Sequence, residues 1–343
     1  MTFARVVCLP GDGIGPEVMQ ATVRVLGSLP VDVEIEEHAF GGAAIDLHGD
    51  PLPAETLAAC LRADAVLLGA VGGPAWEGGP RPEDGLLGLR RELDVYANLR
   101  PAAQRGVDLV IVRELTGGLY FGRRGVLADG TVFDTCEYHP SEVERIARRA
   151  FELAGTRRGD LCSVDKANVL ETSRLWRRVV DGVAPEYPRV RLRHALVDSA
   201  AMELVTNPEV FDVVLTENTF GDILSDVAAA VTGGLGLAAS ASLGDRRPGI
   251  FEPVHGSAPD IAGRGVANPA AMLRSLALML EHALGRADLA RDVEFAVDLA
   301  LRATPTPDVG GSATTDAFAE TVIDALRHAD QPPTEEEAWT ATS

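Results

Sequence analysis

The stretch TENTFGDILSD, Thr216–Asp226, follows the apolar run Val213-Val214-Leu215, which is short and β-branched enough to be a buried strand. Gly221 punctuates the stretch, and Asp222–Ala228 then reads as a helix. Asp222 and Asp226 are spaced i, i+4, so their carboxylates share one helical face. Two like charges repel there unless a cation lies between them. A hard divalent ion such as Mg²⁺ or Mn²⁺, coordinated through oxygen, would satisfy the pair. The structural alternative is that Asp222 favours the positive end of the helix and Asp226 is solvated. Spacing alone leaves both readings open.

Moving outward to the N-terminus, residues 4–10 (ARVVCLP) form a short strand that runs into Gly11-Asp12-Gly13-Ile14-Gly15-Pro16-Glu17. Pro16 suits the first turn of a helix, and Val18, Ala21, Thr22 and Val25 recur at helical spacing. The glycines invite a Rossmann reading. Their spacing is GxGxG before a proline rather than GxGxxG, and no clear second strand carries a ribose-binding acid about 20 residues on. The Rossmann reading is therefore rejected.

A helix is expected over 53–62 and a strand over 65–70, then a Gly/Pro-rich loop from Val71 to Pro82. Glu83–Leu93 is amphipathic, with Leu86, Leu87 and Leu89, and Asn98-Leu99-Arg100-Pro101 follows. VDLVIV at 107–112 is a buried strand ending at Arg113-Glu114. Thr116–Gly130, rich in Gly and Arg, reads as an extended arm. Ser141 opens a helix with a capping box to Glu144. Strands are expected at 161–164, leading into Asp165-Lys166-Ala167-Asn168, and at 190–197, ending at Asp198. Phe251–Gly263 is too rich in Gly and Pro to be regular. Asn268-Pro269 caps a long apolar helix, and a last helix covers roughly 315–328. Strands alternating with helices over this length indicate an α/β chain with a largely parallel sheet.

The composition is that of an ordinary soluble globular chain with many turns. At 343 residues the chain suits two lobes or one large unit. A net charge of −20 argues against nucleic-acid binding, which needs a basic footprint. Cys8, Cys60, Cys136 and Cys162 are scattered without metal spacing. No stretch has the length of a membrane span and the N-terminus lacks a signal-peptide pattern, so a cytoplasmic location is expected. The acidic tail from Asp330 is expected to be disordered.

Three acids, Asp198, Asp222 and Asp226, fall just after predicted strands or at a helix start, where open α/β sheets place ligands. Lys166 also follows a strand, either as a surface charge or as a general base with a lowered pKa. Arg90, Arg100 and Arg113 lie near loop edges of an acidic chain; together they could clamp a di- or tricarboxylate. Tyr120, between Leu119 and Phe121, reads first as core packing and second as a proton donor.

These motifs, taken in order, resemble the isocitrate/isopropylmalate family of β-decarboxylating dehydrogenases, and most closely its isopropylmalate branch. They are GDGIGPE at 11–17, EDGLLGLR at 83–90, NLRP at 98–101, VRELTGGLYFG at 112–122, SVDKANVL at 163–170, VDSAAMELV at 197–205, TENTFGDILSD at 216–226 and EPVHGSAPDIAGRGVANP at 252–269. The resemblance covers all but the acidic tail.

The resemblance implies a two-lobed open twisted sheet distinct from Rossmann, with 1–95 and 233–329 as the cofactor lobe and 96–232 as the dimerisation and substrate lobe. It implies Mg²⁺ or Mn²⁺ on Asp222 and Asp226 of one subunit and Asp198 of its partner in a homodimer. Lys166, also from the partner, would be the base and Tyr120 the final proton donor. Arg90, Arg100 and Arg113 would hold the malate carboxylates, with Leu86 and Leu87 facing the substrate's side group. NAD would lie on Ile14, Glu83, His255, Gly256, Ser257, Ala258, Pro259, Asp260, Ile261 and Asn268. Relatives acting on isocitrate, homoisocitrate, tartrate or D-malate are the rivals, discriminated at Leu86 and Leu87. A silent regulatory subunit is a further alternative, disfavoured because every implied catalytic position is filled. A Mg²⁺-dependent hydrolase explains the carboxylates but not Lys166, Tyr120 or the arginines.

Overall fold

The computed structural model describes residues 3–329 other than 77, 105 and 247; the tail from Asp330 lies outside the described residues. Ten strands form one sheet. In chain order they are β1 (Ala4–Gly11), β2 (Val33–Glu37), β3 (Ala65–Ala70), β4 (Ala97–Gln104), β5 (Val107–Glu114), β8 (Asp160–Asp165), β9 (Arg191–Leu196), β10 (Val213–Thr216), β11 (Ala239–Leu243) and β12 (Gly249–Pro253). Their spatial order is β2-β1-β3-β12-β11-β4-β5-β10-β8-β9. Strands from 1–95 and 233–329 thus fill one half and strands from 96–232 the other. The outer strands pair in parallel, while β12–β11, β11–β4 and β4–β5 are antiparallel. β6 (Arg124–Val126) and β7 (Val132–Asp134) make a separate hairpin in the expected arm.

Period-two alternation assigns the two faces. On one face Val6, Cys8, Leu67, Phe251, Ala241, Leu99, Val112 and Leu215 join a continuous core. It is covered by α1 (Gly15–Ser28), α5 (Pro140–Thr156), α6 (Glu171–Val183), α9 (Ala270–His282), α10 (Ala287–Ala303) and α11 (Thr315–Ala329). The other face carries two separate cores. Val7, Leu9, Val66 and Leu68 pack under α3 (Ala54–Arg62) and α4 (Pro82–Glu92). Ile111, Val164 and Val214 pack under α7 (Val197–Thr206) and α8 (Asn218–Thr232). A further short helix, α2 (Gly41–His48), flanks α4. Between the two cores the middle strands present Glu252, Ser240, Ser242, Asn98, Arg100 and Arg113 instead of apolar side chains.

Four local expectations are corrected. Val33–Glu37 is a second strand beside β1, parallel to it, and carries Glu34, Glu36 and Glu37. Its charged, mostly exposed residues hid it, because it lies on the sheet edge. The helix after β10 begins at Asn218, with the Glu217 side chain accepting from the Thr219 and Phe220 amides. Gly221 therefore lies inside that helix; a Cβ there would come within 2.6 Å of the Arg113 Cγ. The capping box of α5 is His139 with Glu142, two residues earlier than Ser141 with Glu144. Phe251–Pro253 is the end of β12 and not loop; the irregular segment begins after it.

Candidate active site

The gap between the two smaller cores is a cavity of about 500 Å³. Its cationic wall is Arg90 from α4, Arg100 from β4 and Arg113 from the carboxyl end of β5. Leu86 and Leu87, one turn before Arg90 on α4, give it an apolar wall. Glu83, Tyr120 and Asp222 complete the lining used below. The expected arginine trio, apolar pair, tyrosine and first acid are thus brought together by the fold.

Each arginine is fixed by a buried polar partner. Arg90 Nη2 donates to Glu252 Oε1 at 2.7 Å, with both side chains 10% exposed. Arg100 Nε donates to Asn98 Oδ1 at 2.8 Å and its Nη1 to Ser225 Oγ at 2.6 Å. Arg113 directs Nε and Nη2 at Asn218 Oδ1, at 3.1 and 2.7 Å, while Asn218 Nδ2 donates to Gly117 O. Burial, then the neighbouring Arg100 charge, pulls the Arg113 guanidinium down to about 10, which still leaves it charged at neutral pH. Sequence reasoning did not single out Glu252, Asn98, Asn218 or Ser225. The alternation Ala239-Ser240-Ala241-Ser242 was the available signal for a two-faced strand with one polar side.

Tyr120 is not core packing. It ends a 3-10 turn, Gly118–Tyr120, and its hydroxyl donates to Asp222 Oδ2 at 3.0 Å. Burial and then the Asp222 charge raise its pKa, so the phenol keeps its proton. Burial pushes the Asp222 carboxyl up, but the Arg113 and Arg100 charges outweigh it and hold the group below the usual carboxylate range. Asp226, one turn on, is raised by burial against the pull of Arg100.

Lys166 and Asp198 lie elsewhere. The β8–β9 register, Asp165 opposite Leu196, carries Lys166 and Asp198, one and two residues beyond that pair, to the same end of the sheet. Lys166 Nζ donates to Asp198 Oδ1 at 2.6 Å, which lowers the Asp198 pKa. Neither lines the cavity. Among the described residues of one chain, no three His, Cys, Asp or Glu side chains converge as a metal set.

The expected cofactor loop is assembled on the first glycine turn. Gly13 has a left-handed backbone, φ +58°, and a Cβ there would lie 2.0 Å from Ser257 O. Ile14 N donates to that same oxygen at 2.8 Å. Glu17 gathers the amides of Gly263, Gly265 and Ala267, and Asp12, buried, those of Gly42, Ala43 and Gly72. These two acids of GDGIGPE organise loops, a role that was not expected. Asn268 Oδ1 accepts from Ala270 N at 2.9 Å, opening α9. Ala258 holds an uncommon left-handed backbone, φ 39°. Pro259 and Asp260 are exposed, with Ile261 turning back onto Ala258 O. His255 Nδ1 meets Gly256 O at 2.9 Å, so that nitrogen carries the proton. Burial lowers the His255 pKa, and its buried Nε2 is left as an acceptor without a partner.

Residues 5–325 match the family model described as isocitrate/isopropylmalate dehydrogenase. A 3-isopropylmalate dehydrogenase of Deinococcus radiodurans is 53% identical, over 94% of this chain and 97% of that protein. One from Bacillus cereus is 49% identical over 94% and 96%. The crystal structure of isocitrate dehydrogenase from Methylococcus capsulatus has a TM-score of 0.89 at 38% identity, covering 95% of this chain and all of that one. A β-decarboxylating dehydrogenase from Thermococcus kodakarensis gives 0.82 at 40% identity, covering 97% and 100%.

Proposed function

The chain belongs to the isocitrate/isopropylmalate dehydrogenase family, and from that premise we propose that it oxidises and decarboxylates 3-isopropylmalate with NAD, using Mg²⁺ or Mn²⁺, as a step of leucine biosynthesis. In the net reaction C2 loses hydride to NAD⁺, the hydroxyl loses its proton, and the β-carboxylate leaves as CO₂; a proton then returns to C3, giving 4-methyl-2-oxopentanoate. The observation that carries the reading is one cavity with three arginines on one wall and Leu86 and Leu87 on another. That pairing suits a dicarboxylate bearing an isopropyl group. A γ-carboxylate in place of the isopropyl would face leucine side chains instead of a basic partner.

Arg90, Arg100 and Arg113 bind the carboxylates through forked donors and fix the substrate's orientation. Lys166 of the partner subunit takes the hydroxyl proton. Tyr120, protonated and hydrogen-bonded to Asp222, gives the proton to C3. Asp222 and Asp226, with Asp198 of the partner subunit, form an all-oxygen set suited to a hard divalent ion. When bound, that ion supplies electron withdrawal from the hydroxyl and the neighbouring carbonyl oxygen. The cofactor reading is supported by the orphaned His255 Nε2, an acceptor suited to a ribose hydroxyl or an adenine amino group.

A shared site needs a second subunit, and the surface supports one. Met202 and Val205 on α7 and Ile223 on α8 are 68%, 60% and 56% exposed, as are Val126 and Val132 of the arm at 69% and 71%. Such apolar exposure beside an incomplete acid set favours a homodimer formed by residues 96–232, with 1–95 and 233–329 as the cofactor lobe. The deciding experiment is NAD⁺ reduction by the purified protein, with Mg²⁺ or Mn²⁺, across isopropylmalate, isocitrate, homoisocitrate, tartrate and D-malate. The highest kcat/KM is expected for isopropylmalate; a higher value for isocitrate or homoisocitrate would overturn the assignment.

A further inference from the structure

We propose, resting on the arginine-cavity reading above, that Asn98 with Ser240 and Ser242 is the positioning group that aims Arg100 at the substrate carboxylate. Asn98 and Arg100 are two residues apart on β4 and therefore point to the same face of the sheet. Asn98 has no solvent exposure, and Ser240 and Ser242 are equally buried. Its Nδ2 donates both hydrogens, to Ser240 Oγ at 2.8 Å and Ser242 Oγ at 2.9 Å. Its Oδ1 accepts from Arg100 Nε at 2.8 Å. The orientation of the amide is forced by chemistry: turned over, it would set an NH₂ against a guanidinium, and neither accepts a hydrogen bond.

The consequence for Arg100 is directional. With Nε held by Asn98 and Nη1 by Ser225, the guanidinium is pinned at two of its three nitrogens. Nη2 is left on the side of the acids, 3.4 Å from Asp222 Oδ1. Without the Nε bond only the outer nitrogens hold the plane, and forked recognition of a carboxylate depends on that plane.

The group also joins the two halves of the sheet. Ser242 is the cross-strand neighbour of Asn98 on β11, and Arg113 is its neighbour on β5. The β11–β4 ladder has only three residue pairs, Ala241–Leu99, Ser242–Asn98 and Leu243–Ala97. The buried side-chain bonds therefore reinforce a short ladder at the junction, and they tie the aim of Arg100 to its register. A point misplacement of an orienting group acts on turnover out of proportion to its effect on stability.

The test uses the full-length protein with Asn98→Ala, Asn98→Asp and the double variant Ser240→Ala/Ser242→Ala, each also on an Arg100→Lys background. Lysine has no Nε–H fork, so on that background Asn98 has nothing to aim. Asn98→Ala is expected to raise KM for the hydroxy acid roughly tenfold or more, with KM for NAD unmoved and no further rise beside Arg100→Lys. Asn98→Asp keeps an acceptor for Nε and should restore most of the loss. The serine double variant leaves the Arg100 bond partner in place and should give a smaller rise in the same direction; it also carries the test if Asn98→Ala does not fold. Equal rises on both backgrounds, or parallel rises in both KM values, would mean a purely structural role and overturn the proposal. Independently of turnover, the Arg100 Nε–H resonance, assigned by its loss in Arg100→Lys, should exchange slowly in the parent and rapidly in Asn98→Ala. A slow signal in Asn98→Ala overturns the proposal even when the parent oxidises none of the hydroxy acids, an outcome that would defeat only the functional reading.

Discussion

Arg113 Nη1 lies 2.5 Å from Asp222 Oδ1, while Tyr120 donates to the other oxygen of the same carboxylate. The first acid of the pair is thus already held by a cation and a phenol from two other elements. Its neighbour Asp226 has a looser tie, to Arg100 at 3.7 Å, with 54% of its side chain exposed. Replacing either carboxylate by an amide removes a negative oxygen donor from the set. Asp222→Asn and Asp226→Asn should each raise the metal concentration needed for half-maximal activity, by about tenfold or more. Asp222→Asn should also lower kcat, because the Tyr120 and Arg113 contacts weaken with it. Metal titrations identical to the parent in both variants would make the pair structural.

Lys166 and Asp198 are bonded to each other and lie outside the cavity lined by Arg113 and Tyr120. If one site draws on two subunits, Lys166→Met abolishes turnover while the melting temperature barely moves, since an exposed ion pair contributes little. Mixing Lys166→Met subunits with Asp222→Asn subunits should then restore activity. Each mixed dimer holds one site with both native halves, so random reassortment gives about a quarter of parent activity. No recovery in mixed dimers, confirmed by mass, would place Lys166 in its own subunit's site or outside the mechanism.

The strand-to-helix units, the arm and the first acid were legible because each has a local signature. Val213–Leu215 is an apolar run, Pro16 marks a helix start, and Asp222 and Asp226 repeat at four residues. What was not legible depends on pairing across the chain. β2 reads as a charged segment because an edge strand has only one neighbour and little burial. β11 reads as small residues because it is buried on both faces between β12 and β4. Glu252 and Asn98 are ordinary polar residues in sequence; only the sheet order β12-β11-β4-β5 sets them under Arg90 and Arg100. The role of Glu17 likewise appears only when a loop some 250 residues later folds over α1, as the 248-residue separation of its bond to Gly265 shows.

Cofactor choice should turn on Asp260. It is exposed in the turn formed by Ile261 N on Ala258 O, beside the His255–Ser257 segment that receives Ile14. A carboxylate there can accept from both adenosine ribose hydroxyls of NAD, whereas the 2′-phosphate of NADP would meet like charge. A penalty of ~3 kcal/mol corresponds to roughly a hundredfold preference in kcat/KM. Asp260→Lys with Ile261→Tyr should shrink that preference. Equal use of NADP by the parent protein would remove Asp260 from the specificity argument, Arg264, whose amide closes the next turn on Ile261 O, being the residue to examine next.

A pH effect on stability should come from Glu294, on α10 and remote from the cavity. Burial, opposed by Arg274, whose Nε lies 3.3 Å from its Oε2, and reinforced by the Asp298 and Glu281 charges, raises its pKa from an ordinary 4.5 to about 7. The folded protein therefore binds a proton that the unfolded chain has already released between about pH 4.5 and 7. The contribution is fully present below the unfolded value and is lost as pH rises through the folded one. With 45% of the side chain exposed, water screens the charge, so the loss should be about 1 kcal/mol and not the full value of the shift. Glu294→Gln keeps a neutral side chain at every pH and should lack this component. Melting curves of parent and Glu294→Gln, recorded from pH 5 to 8, should agree at the acid end and diverge at the alkaline end, with the parent lower. Parallel curves throughout would show that Glu294 titrates alike in the folded and unfolded chain.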